Sequence, residues 1–268
     1  MTEPSEPRRK RFYLPEGDGF TPTRLSGSPW RGDAQNGLAL GLLMAHTLET
    51  QADTGGGHLA RFTLDIMRPA MAQLTHVNWR VARGGRRVRL LEGVLEAAGE
   101  TAARATALYV SPTGAPPPSM PLVSPGGPPE TTTERPFVSR EAGLDMKVVR
   151  RWSVDASGES CDQSVWLRVE ADIVPGFGAS PTATAIAAAD IGGSTIRAHA
   201  RDWTYPNLDI AVHFARQPEG AWVHAATRPL VLGSGVAVID HRFSDTRGAF
   251  GRAHQTLYFT RGARSAAA

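Results

Sequence analysis

A single cysteine, Cys161, stands among 268 residues, so no disulfide forms within the chain. Its neighbours Ser160 and Asp162 supply nothing that activates a thiol, and it reads as structural. Long apolar runs are missing as well. The longest, at residues 38–45, is too short to span a bilayer. No apolar stretch follows the basic cluster Arg8-Arg9-Lys10-Arg11, which excludes a secretory signal and places the protein in the cytoplasm as an expectation. The His-x-Glu and Cys-x-x-Cys metal pairings are missing, and so is the Gly-x-Ser-x-Gly elbow of α/β-hydrolases. Gly55-Gly56-Gly57 lacks the Lys-Ser/Thr of a phosphate loop. A net charge of +3, much of it in that basic N-terminal cluster, and no nucleic-acid motif argue against a nucleic-acid partner.

What is present is a duplicated pattern. Residues 36–50 read as a helix capped by Asn36, with Leu38, Leu42, Ala45 and Leu48 on one face. Strands follow at 59–67, 74–82, 87–97 and 101–110, separated by short glycine turns. In the third of these, Val88, Leu90, Glu92 and Val94 form one alternating face against Arg87, Arg89 and Leu91. A proline- and glycine-rich stretch, 113–135, interrupts the order and reads as a linker. The second half then repeats the first: strands at 146–149 and 166–172, a helix at 180–193, and strands at 209–215, 221–230, 235–244 and 249–260. The expected domains are 12–112 and 136–262 on either side of the linker.

The second helix carries the chemistry. Ser180 caps it, Pro181 occupies its first turn, an alanine run fills it, and Gly192 and Gly193 end it. Its one carboxylate, Asp190, sits near the C-terminal end among apolar neighbours. Both the helix dipole and desolvation there raise a carboxyl pKa toward that of a general base. The plainer reading puts Asp190 on the solvated face of the helix.

The order AAADIGGS (187–194), YPNLDIAVHFAR (205–216) and GAFGRAHQTLYFTRG (248–262) resembles the C-terminal half of the acyl-CoA thioesterase II family. GDAQNGLALGLLMA (32–45) and FTLDIMRPA (62–70) resemble its N-terminal half. The resemblance implies an α+β double hotdog: two antiparallel sheets, each wrapped around a long central helix, forming a pseudo-dimer within one chain. It implies hydrolysis of acyl-CoA by a positioned water, with Asp190, Asn207 and Gln255 at the catalytic positions and Gly37 at the substrate's oxyanion. Asn207 departs from the Thr or Ser of that family, and an amide divides donor and acceptor between two atoms where a hydroxyl combines them. "YPN" is also an ordinary turn sequence, Gln255 an ordinary strand residue, and Gly37 an ordinary packing glycine.

No cofactor and no metal are expected. The expected partners are the acyl-CoA substrate and further copies of the chain, as a homo-oligomer, with no nucleic acid and no membrane. Arg68, Arg216 and Arg228 are equal candidates for the CoA phosphates. Trp30, Trp79, Trp152, Trp166 and Met71 either narrow an acyl tunnel or belong to the core. Two further classes remain open: a non-catalytic acyl-CoA-binding hotdog, and a hydratase. The hydratase would need a histidine beside Asp190, and no sequence segment supplies one.

Overall fold

A computed structural model describes residues 10–111, 124–130, 143–150, 163–196, 200, 202–231 and 233–261. Cys161, Trp152, Arg8, Arg9 and most of the 113–135 stretch lie outside the described residues.

The first half begins with β1 (Tyr13–Glu16) and β2 (Gly19–Pro22), followed by a short 3-10 turn at Arg24–Ser26. Helix α1 (Gly37–Gln51) comes next, then β3 (His58–Ile66), β4 (Thr75–Arg83), β5 (Val88–Ala97) and β6 (Glu100–Val110). The second half has β7 (Leu144–Arg150), β8 (Gln163–Val169), helix α2 (Pro181–Asp190) and the two-residue β9 (Trp203–Thr204). It ends with β10 (Asn207–Phe214), β11 (Val223–Val231), β12 (Val236–Asp245), β13 (Gly248–Tyr258) and β14 (Thr260–Arg261). The helix followed by a run of antiparallel strands thus occurs twice, as the sequence pattern requires.

Two expectations change. The two sheets are one: twelve strands run in the order β1-β2-β4-β5-β6-β3-β10-β13-β12-β11-β8-β7. Antiparallel pairing of β3 with β10, from Asp65 opposite Asp209 to Arg61 opposite His213, joins the halves. The second helix is also shorter than expected. Its α-helical part stops at Asp190 after 10 residues, and a 3-10 turn carries the chain through Thr195. Gly192 lies in that turn with the Gln255 amide, Ile239 and His241 pressed against it, so no Cβ fits there.

The two alternating faces of β5 are told apart by burial. Leu91, Leu95 and Ala97 are buried, and Val88, Leu90, Glu92 and Val94 are only partly so. Gly93 sets this register. It faces the Met44 methyl of α1 and the Trp79 ring, where any side chain would collide.

Both helices lie on the buried face of the sheet and against each other. Leu40, Leu42, Leu43, Met44 and Leu48 of α1 and the alanines and Ile186 of α2 share one core. At the crossing, a Cβ on Gly41 would stand 3.1 Å from the Ile186 side chain, a separation that only small residues permit. The alanine run therefore serves close helix–helix packing as well as helix propensity. Trp166 is fully buried, and the partly buried Trp79 donates from Nε1 to Thr47 Oγ1 at 3.1 Å, which makes both core residues.

Candidate active site

The site begins at the entrance to α1. Asn36 Oδ1 accepts the Ala39 N–H at 2.6 Å, capping the helix as its sequence predicts. Gln35, which the sequence did not single out, is buried just before it. Its Nε2 donates to the Met71 carbonyl at 2.7 Å and to Thr75 Oγ1 at 2.9 Å, while its Oε1 accepts from Tyr13 at 2.8 Å. These bonds fix the first turn of α1, and with it Gly37. The Gly37 N–H, one of the four a helix N-terminus leaves unpaired, has no hydrogen-bond partner among the described residues.

The C-terminal end of α2 arrives at the same place. The Asp190 carboxylate lies directly against Gly37, where a Cβ on the glycine would overlap Oδ1. Asn207 Nδ2 donates to Asp190 Oδ1 from the first residue of β10. Burial raises the Asp190 pKa to about 6, against the opposing pull of the Asn207 amide and the Leu38 N–H. The carboxylate thus stands at the unfavourable end of its own helix and the favourable end of the other.

A bulge in β10 sets Asn207 inward. The β10–β13 register shifts between Asn207 and Asp209, and Asp209 Oδ1 accepts the Thr256 N–H at 2.7 Å. With Nδ2 committed to Asp190, Asn207 Oδ1 is a buried acceptor without a partner. Gln255 is fully buried on β13 opposite Ile210, with its amide against Gly192. Its Oε1 is also unpaired. The structure therefore brings Asp190, Asn207 and Gly37 into contact, and sets Gln255 behind them with no hydrogen bond to Asp190.

His241 is the residue that sequence reasoning missed. It is buried on β12, with Nδ1 2.9 Å from Thr227 Oγ1 and Nε2 3.5 Å from Gln255 Nε2. The ring lies against the backbone of Ala189, the residue before Asp190, whose influence opposes the effect of burial on its pKa. Burial lowers its pKa to about 4, so it is neutral near pH 7. A histidine does therefore stand behind the end of α2, although it meets the helix backbone and not the carboxylate. Strand pairing alone offered a route to it: His241 faces Ala253, two residues from Gln255.

The opposite ends of the two helices also meet. Ser180 Oγ, the cap of α2, donates to Glu49 near the end of α1 at 2.7 Å. Each helix thus ends in a carboxylate against the start of the other, but only the Asp190 end has Asn207 and Gln255 beside it. Of the arginines, Arg216 is bound through both Nη atoms to Asp245, at 2.7 and 2.6 Å, and also to the Gly248 carbonyl. It is a structural cation, which removes it from the phosphate candidates. Trp30 packs edge-on against Tyr205, ring centres 4.7 Å apart, beside the turn that leads into Asn207.

The family model for the acyl-CoA thioesterase N-terminal domain matches residues 26–110, and that for the C-terminal domain matches residues 112–259. This chain belongs to the acyl-CoA thioesterase family. Among curated protein sequences none matches it. Among solved structures it is similar to an acyl-CoA thioesterase II, TesB2, from Mycobacterium marinum. That likeness has 16% identity and TM-score 0.64, over 92% of this chain and 95% of that one. A protein from Thermobifida fusca assigned as a thioesterase II is similar at 17% identity and TM-score 0.70, over 94% and 95% of the two chains. A conserved protein from Alicyclobacillus acidocaldarius with a hot dog fold is similar at 14% identity and TM-score 0.70, over 93% and 96%. The acyl-CoA thioesterase described here has that hot dog fold, and it is a thioester hydrolase.

Proposed function

We propose that this thioesterase hydrolyses acyl-CoA through a water activated by Asp190. The observation that carries the reading is the Asp190 carboxylate itself, raised in pKa, held by the Asn207 amide and seated at the N-terminus of α1. A general base works best when its pKa lies close to the operating pH, and a value of about 6 suits that role.

In this reading the nucleophilic water donates one hydrogen to Asp190 and the other to the unpaired Asn207 Oδ1. Its oxygen attacks the thioester carbon as Asp190 takes the proton. The tetrahedral oxyanion points at the Gly37 N–H, the free donor at the start of α1, where the helix dipole favours negative charge. Collapse breaks the C–S bond, the protonated Asp190 returns its proton to the departing CoA thiolate, and the free acid leaves. An amide at position 207 performs both tasks at once, since Nδ2 steadies the carboxylate while Oδ1 accepts from the water. Gln255 acts from behind, its amide packed against Gly192 at the end of α2 and 3.5 Å from His241 Nε2.

Release of free thiol from short, long and aromatic acyl-CoAs tests this. Turnover of at least one class by wild type, with a loss of about a hundredfold or more in Asp190→Ala, supports the base role. Equal turnover by wild type and variant overturns it.

A further inference from the structure

The residues that follow β3 lead from the reacting centre to an open cleft. Ile66, the last residue of β3, has its Cδ1 3.4 Å from the position of a Cβ on Gly37. Met67 and Arg68 come next, and both their N–H groups donate to the Ala102 carbonyl, at 2.9 and 3.3 Å. This pins the end of β3 against the start of β6. Between them lies a surface cleft of about 390 Å³ lined by Met67, Arg68, Glu100, Thr101 and Arg104. Arg68 is roughly 7 Å along an extended chain from Ile66, so the cleft adjoins the catalytic residues.

Resting on the acyl-CoA reading above, we infer that this cleft binds the phosphorylated adenosine end of CoA. Arg104 is exposed on β6 and has no ion-pair partner among the described residues, even though Asp65 lies opposite it in the ladder. Arg68 spends one donor on Glu100 at 2.6 Å and keeps the rest of its fork exposed. Two guanidinium groups on one cleft suit phosphate oxygens, which accept paired N–H donors. Met67 is 58% exposed, and it offers a polarizable thioether to a base ring. Phosphate-binding arginines, an apolar contact and the Thr101 hydroxyl match the parts of a phosphorylated nucleoside. The pantetheine arm then passes the end of β3 to bring the thioester to Gly37. Of the two arginines left by the exclusion of Arg216, this geometry selects Arg68, and it adds Arg104, which sequence reasoning passed over.

The test compares KM for an acyl-CoA with KM for the same acyl group on pantetheine, alongside calorimetric binding of CoA itself. Arg104→Glu is expected to raise KM for the acyl-CoA about tenfold, and to raise the acyl-pantetheine value far less. Glu100→Gln, which removes the competing carboxylate, is expected to lower KM for the acyl-CoA alone. Arg242→Glu makes the same charge change on an exposed arginine of β12, outside the cleft, and is expected to leave the ratio of the two KM values unaltered. Equal effects of Arg104→Glu on both substrates, or none on either, overturn the nucleotide cleft. If wild type hydrolyses neither thioester, the hydrolysis reading falls, and CoA binding alone judges the cleft. Binding to wild type that weakens in Arg104→Glu supports it, and unchanged or undetectable binding overturns it.

Discussion

Gly37 and Asp190, separated by most of the chain, touch: the helix start in one half has no room for a Cβ because the carboxylate of the other half occupies that space. The contact ties the two proposed jobs, charge stabilisation and proton transfer, to one point on the boundary between the halves.

Gly37→Ala is therefore expected to displace the carboxylate and lower kcat by about tenfold or more. Alanine is a better helix former than glycine, so the thermal midpoint should hold or fall only slightly. Steady-state kinetics with thermal unfolding checks this. An unchanged kcat would show that the carboxylate can move without cost.

The pH profile of kcat should show an acidic limb near pH 6, with activity lost below it as Asp190 gains a proton. Asn207→Ala removes the hydrogen bond that lowers this pKa, so the limb should move upward. Asn207→Thr restores a hydroxyl at the position and should retain activity within about tenfold. A limb that stays fixed across the three proteins would separate Asp190 from the observed titration.

Asp190 should also cost stability when ionised. Its folded pKa of about 6 lies above the ordinary 3.8, so the folded state holds the proton more tightly. The penalty is absent below about pH 4 and complete above about pH 6, on the order of 3 kcal/mol. Asp190→Asn should accordingly lose activity yet unfold at a higher temperature than wild type at pH 8, with the gain vanishing at pH 4. Thermal unfolding at the two pH values decides the sign.

Gln255→Leu removes a buried acceptor that has no partner, so its effect on stability should be small or favourable. If the amide helps to fix the reacting groups, kcat should still fall about tenfold. A variant as active as wild type would make Gln255 a structural residue only.

The order of elements was legible in the sequence because each depends on local chemistry. Asn36 and Ser180 cap the two helices, and period-two alternation marks the strands. Asp190 was legible too, as a lone carboxylate in an alanine helix. Less legible were features set by distant contacts. The inward face of β5 follows from Gly93 meeting Met44 and Trp79, a constraint its own alternation does not record. His241 reaches the end of α2 only through the pairing of β12 with β13. Gln35 gave no signal either, since a glutamine before a helix cap is common and its three bonds come from three other segments. Arg216 was misjudged for the converse reason: its partner Asp245 lies 29 residues away in sequence.

The pairing of β3 with β10 has a further consequence. With hydrogen bonds continuous from β1 to β7, neither half has an edge of its own at the join, and separating them would expose two strands to water and to other chains. The two halves should therefore melt together, in one calorimetric transition. A weakness introduced far from Asp190, in the outer strands of either half, would reach the reaction by shrinking the fraction of intact molecules, with the surviving ones turning over at the full rate.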